Sequence, residues 1–114
     1  MAVNISIPLE FELINRTWHV KELTERHERK LLAEYPHGEE PKGIWGLCDP
    51  EHAVIYIRKS SSKDHMMHTF LHELGHALFY ALGWDVENEE EKVDALGAAL
   101  HQWLKSKRGS FTVA

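Results

Sequence analysis

The segment His72-Glu73-Leu74-Gly75-His76 carries two imidazoles four residues apart, with a carboxylate next to the first. On a helix, positions i and i+4 lie one turn apart on the same face, so both rings can address one ion while Glu73 flanks it. Two imidazoles and a carboxylate most suit zinc, one ion per chain. Zinc held this way keeps a position open for water and lowers that water's pKa toward about 7, within reach of a neighbouring base. His72 and His76 are therefore the candidate ligands, and Glu73 the candidate base for a hydrolysis.

That spacing has meaning only inside a helix. Met67, Phe70, Leu71, Leu74, Ala77, Leu78, Ala81 and Leu82 recur at three- and four-residue intervals and predict a helix over 63–82, capped by Ser61 or Ser62 and ended by Gly83. Polar groups are costly on such an apolar face, so three of them together point to function rather than to an ordinary amphipathic surface.

A tetrahedral site needs a third protein ligand. The extended motif HExxHxxGxxH would place Gly at 79 and His at 82, where this chain has Phe79 and Leu82, so that class is excluded. After a short link, a second helix is predicted over 88–106, with Asn88 as N-cap and Glu91 in the capping-box position. Its stripe of Val93, Leu96, Ala99, Leu100, Trp103 and Leu104 can pack antiparallel on the first helix. In that helix Glu90 and Asp94 share a face, and Gly97 continues it without a side chain to hold the helices apart. Glu90 can supply the third metal bond, while Asp94 can accept a hydrogen bond from the far nitrogen of a ligand histidine. On the residues alone, Asp85, Glu87, Glu91 and His68 stay open as alternatives, and Glu89 is a further carboxylate in the same run. His101, two turns beyond Asp94, reads as an interhelical hydrogen-bonding residue.

Glu90-Glu91-Lys92-Val93-Asp94-Ala95-Leu96-Gly97 has the spacing of the second zinc helix of thermolysin-like enzymes, Glu-x-x-x-Asp followed by Gly, so the two helices together resemble the gluzincin arrangement. The order of a Gly-aromatic strand, an Ile-Tyr-Ile strand, the HExxH helix and a Glu-rich helix opening into Val-Asp-Ala-Leu resembles small phage-encoded metallopeptidases. A more distant likeness is to the ImmA/IrrE peptidases. The resemblance implies a minimal zincin core with zinc held by His72, His76 and Glu90, Glu73 as general base and Asp94 behind a ligand. It also implies a peptide or protein substrate added as a strand to the edge Gly43–Cys48, and the cytoplasm of the host cell if the chain is phage-encoded. Thermolysin-like enzymes take further transition-state donors from another domain; here Tyr80, Tyr56 or His68 would have to substitute.

The elements that must position these residues come from the first half. Val3, Ile5, Ile7, Leu9, Phe11 and Leu13 alternate with polar residues and Pro8, and Asn15-Arg16 can turn this strand into a second one, giving a hairpin over 3–22. A short helix over 24–34 and a polar loop follow. Gly43–Cys48 and Ala53–Arg58, joined by Asp49-Pro50-Glu51-His52, form a second hairpin, 43–58. The expected fold is α+β: a small antiparallel or mixed sheet packed on the two helices, in a single domain over 1–114.

Composition narrows the partners. A net charge of −5 leaves no footprint for nucleic acid, and no spanning or signal segment is visible, so neither DNA nor a membrane is expected. The lone Cys48 allows no internal disulfide and fits a reducing compartment. The alternative function is a zinc-stabilised peptide-binding or inhibitory module that keeps the site without efficient cleavage, although a structural zinc has no need of Glu73.

Overall fold

A computed structural model describes residues 6–34, 45–60 and 62–112. Its elements are β1 (Glu10–Leu13), β2 (Arg16–Glu22), α1 (Glu25–Glu34), β3 (Gly46–Asp49), β4 (Val54–Ile57), α2 (Lys63–Leu82) and α3 (Glu89–Ser106). The strands form one sheet in the order β1-β2-β4-β3. The two hairpins are antiparallel, and β2 pairs with β4 in parallel, so the sheet is mixed. A parallel pair needs a crossover, and α1 lies in the connection between β2 and the second hairpin. This is the expected α+β fold.

Several boundaries differ from the sequence expectation for identifiable reasons. β1 starts at Glu10 rather than near residue 3; Pro8 has no N–H to give a ladder, and residues 6–9 run outside the strand. Val3 to Ile5 lie outside the described residues. The turn falls on Ile14-Asn15, with φ of 44° and 61°, and Arg16 already pairs with Leu13. Two positive-φ residues give the twist that a two-residue hairpin requires. Arg16 then donates to the carbonyl oxygens of Pro50 and Glu51, tying this hairpin to the turn of the other. In the second hairpin β3 begins at Gly46; Gly43 and Ile44 of the expected edge lie outside the described residues.

Alternation puts Phe11, Trp18, Val20, Cys48, Ile55 and Ile57 on the sheet face that meets Met67, Phe70, Leu71 and Ala77 of α2. Trp18 and Ile55 are buried completely or nearly so, at 1% and 0% exposure. On the opposite face Tyr56 lies against His27 of α1, and Arg58 pairs with Glu28. No helix among the described residues is long and apolar enough to cross a membrane.

α2 and α3 approach backbone to backbone at Gly97. A Cβ placed there would lie 3.2 Å from the His72 nitrogen and 3.3 Å from the Leu71 carbonyl carbon, both main-chain atoms that cannot turn aside. An unobstructed Gly→Ala change inside a helix gains about 1 kcal/mol. Gly97→Ala should instead cost about 1–2 kcal/mol net, because the helices must separate. Urea denaturation of the two proteins measures this, and a more stable variant would contradict the close approach.

Candidate metal centre

The HExxH residues fall in the middle of α2, whose ends are fixed locally. Ser62 accepts from the His65 N–H at 3.1 Å. At the other end Gly83, φ 69°, donates to the Tyr80 carbonyl, and Trp84 donates to that of Phe79, the paired bonds that close a helix through a left-handed glycine. Four-residue spacing lines up His68, His72, His76 and Tyr80 along α2, and all four border a groove of about 950 Å³ walled by β3 and the start of α3.

Within the groove, the Nε2 atoms of His72 and His76 lie 3.0 and 2.7 Å from the two oxygens of Glu90. The imidazole centroids are 5.1 Å apart. A second carboxylate is close by: ligand atoms of His72, Glu73 and His76 all lie within 4.8 Å of one another. Proximity alone therefore names two candidates for the third bond. Helix geometry separates them. Glu73 follows His72 by one residue, so its side chain leaves α2 about 100° away from the histidine stripe and flanks it. Glu90 reaches across from α3 and faces both Nε2 atoms at once. The donor set of two imidazoles and the Glu90 carboxylate fits zinc.

The other nitrogens are held from behind. His76 Nδ1 is hydrogen-bonded to Glu89 at 2.6 Å. Asp94 lies 3.4 Å from His72 Nδ1 and 3.7 Å from His68 Nε2, so it faces the expected imidazole but at more than hydrogen-bonding distance. Glu89 is the stronger partner, and the sequence pattern did not single it out. Its position depends on how α3 begins. Asn88 sits at φ 57° and makes no side-chain cap, contrary to the capping-box expectation; an N-cap side chain bonds back into the first turn from extended backbone, not from the left-handed region. The left-handed residue instead turns the chain so that the first acidic residues of α3 meet the histidines. Asp85 borders the groove beyond Gly83 without an ion pair to either imidazole, and Glu87 and Glu91 do not line it.

Glu73 is the buried carboxylate of the site, 8% exposed. β3 can cross above it because Gly46 has no side chain: a Cβ there would stand 2.5 Å from Thr69 Cγ2 and 3.1 Å from Glu73 Cγ. Burial raises the Glu73 pKa above the usual carboxylate range, against the lowering effect of His76 and His72 and with a further raise from Glu90. Burial also opposes charge on His76, but its hydrogen bond to Glu89 and the charges of Glu90, Glu73 and Glu89 prevail and raise its pKa. Cys48, beside Glu73 on β3, is pushed up to about 12 by burial and by the charges of Glu73, Asp49 and Glu89, so its thiol stays protonated and unreactive.

Of the candidate transition-state donors, Tyr80 and His68 border the groove, whereas Tyr56 lies on the far side of the sheet against His27. His101 sits between the helices, yet its Nε2 is buried without a hydrogen bond, 3.8 Å from Asp64; the interhelical hydrogen bond expected there is not made.

The contacts rank the acidic residues for zinc affinity. Glu90→Ala should cost the most, Glu89→Ala about 10–100-fold, as is usual for a group that holds a ligand from behind, and Asp94→Ala, whose carboxylate stands 3.4 Å from His72 without a hydrogen bond, less than Glu89→Ala. Glu87→Ala and Glu91→Ala should bind as the unaltered protein does. Competitive chelator titration orders the five variants, and an unaffected Glu90→Ala would remove it from the ligand set. Comparison with protein-family models, with curated proteins and with solved structures finds no match, so the site's own geometry carries the functional reading.

Proposed function

We propose that this protein is a zinc-dependent peptidase of gluzincin type. The observation that carries the reading is the convergence of Glu90 on the Nε2 atoms of both His72 and His76, at 3.0 and 2.7 Å, beside the buried Glu73. When bound, zinc supplies Lewis acidity to the scissile carbonyl and acidity to water. The chain's own residues supply the rest. His72, His76 and Glu90 hold the ion; the hydrogen bond to Glu89 keeps the His76 ring oriented, and the Asp94 carboxylate stands beside His72. Glu73, desolvated under β3 with a raised pKa, accepts a proton from the attacking water and returns it to the leaving amine. Its burial strengthens it as a base for the first transfer, while a pKa brought toward the operating pH still lets the protonated acid serve in the second.

The substrate adds as a strand along β3. β3 pairs only with β4 among the described residues, none of which pairs with its other edge beside the histidines. The Arg58 N–H donates to the Trp45 carbonyl across the hairpin, and antiparallel alternation then turns the N–H and C=O groups of Gly46 and Cys48 outward, where an extended peptide can use them. Metal analysis of the purified protein, with a proteolysis assay on cell extract, tests the reading directly. One zinc per chain and cleavage by the native protein support it. A protein that binds zinc and a peptide but cleaves nothing is an interaction module instead.

A further inference from the structure

The groove is electrically unlike at its two ends. His68 lies near one end and Gly83 at the other, a separation of about 22 Å along α2. At the Gly83 end the groove is bordered by Trp84, 55% exposed, and by the exposed carboxylate of Asp85. Among the described residues no Lys or Arg lines it. At the other end a second cleft of about 440 Å³ shares His68 with the groove and is lined by His101, Lys105 and Arg108. Negative charge is present there too: Asp64 pairs with Lys105 at 2.6 Å and lies 3.8 Å from His101, and Asp94 lies 3.7 Å from His68. Arg108 has no ion-pair partner among the described residues, and neither has Asp85.

The edge strand adds a direction. Trp45 packs on His65 with ring centroids 4.5 Å apart, and Gly46 sits over Thr69 and Glu73, so β3 advances in the same sense as α2. A peptide added antiparallel to β3, the slightly more stable pairing, would run from the Asp85 end to the Arg108 end. At about 3.4 Å per residue the groove spans about six residues.

We propose that the groove selects an extended peptide, cationic on the N-terminal side and anionic on the C-terminal side of its central residues. The cation meets the Asp85 carboxylate and the face of Trp84, an arrangement that also offers a cation–π contact. The anion meets Arg108 and Lys105. Free chain termini and Lys and Glu side chains supply the same two charges. The inference rests on the peptidase reading for the occupant being a peptide, but its test reads binding rather than turnover.

Three hexapeptides with identical apolar centres distinguish the possibilities: a capped peptide with Lys first and Glu last, its capped reverse with Glu first and Lys last, and an uncapped peptide charged only at its termini. Calorimetric titration into zinc-loaded Glu73→Gln protein avoids cleavage. The Lys-first peptide should bind about 10-fold tighter than the reverse, as expected of two exposed charge pairs contributing up to about 5-fold each, and added salt should shrink the difference. Asp85→Lys combined with Arg108→Glu, both at exposed positions, should invert the preference. An uncapped peptide as tight as the Lys-first one assigns the charges to termini; one as weak as the reverse assigns them to side chains, and both support the polarity. Equal affinity for the two capped peptides, a preference for the reverse, or a preference unchanged in the double variant overturns it. Should the polarity hold while native protein leaves all three peptides intact, the peptidase reading fails and the polarity stands. Should native protein cleave both capped peptides while they bind with equal affinity, the polarity fails and the peptidase reading stands.

Discussion

Glu73→Gln should lower turnover by about 10²–10⁴-fold while zinc content, melting temperature and peptide affinity remain close to those of the native protein. The amide keeps the shape of the side chain in its pocket beneath Gly46 but cannot accept a proton from water at neutral pH. The measurement is a comparison of kcat and KM on any peptide the native protein cleaves, with metal analysis of both samples. A loss in kcat at constant KM marks an interaction made only in the transition state. Equal rates would remove Glu73 from the mechanism, and a variant that lost zinc would make it a ligand, the other role its 4.8 Å proximity to both histidines allows.

His72→Ala or His76→Ala should abolish stoichiometric zinc binding and with it the stabilisation that the metal provides. A ligand that binds only the folded state at a thousand times its Kd contributes about 4 kcal/mol, so the native melting temperature should rise clearly on adding zinc and that of either variant should not. Calorimetric melting with and without zinc, paired with metal analysis, reads both effects. Unchanged stoichiometry in both variants would place the metal elsewhere. In the metal-free protein His76 sits among Glu73, Glu89 and Glu90, which together raise its pKa. Because a ligand imidazole must be neutral, zinc has to displace that proton, and affinity should fall as pH drops through the raised pKa.

Much of this site is legible without the fold. An i, i+4 pair of histidines in a stretch with helical apolar period can only fall on one face, because the repeat of the helix fixes the angle between them. The same reasoning applies to Glu90, Asp94 and Gly97, and α2 spans 63–82 as the period predicts. The strand pattern locates both hairpins, since alternation reports which side of a sheet faces a core. Strand ends and turns are harder to read. The choice of Ile14-Asn15 over Asn15-Arg16 shifts the hairpin by one residue, and nothing local forbids a positive φ at one pair more than at the other apart from the cost at Ile14.

Spacing along one segment is enough to bring His72, Glu73 and His76 together on α2, and Glu90 and Asp94 on α3. What meets across elements depends on how those elements pack. Glu89 reaches His76 because a left-handed Asn88 aims the start of α3 at it, a backbone choice that side-chain spacing does not encode. Glu73 becomes a desolvated carboxylate because β3 crosses over it at Gly46, a residue 27 positions earlier in the chain. Tyr56 is removed from the site because its strand turns it to the far face, toward His27. Helical and strand periods are set by the local geometry of the backbone and can be read from one segment, whereas the angle and distance at which two segments pack depend on the shapes of both, and burial, with the pKa shift it brings, exists only once they have met.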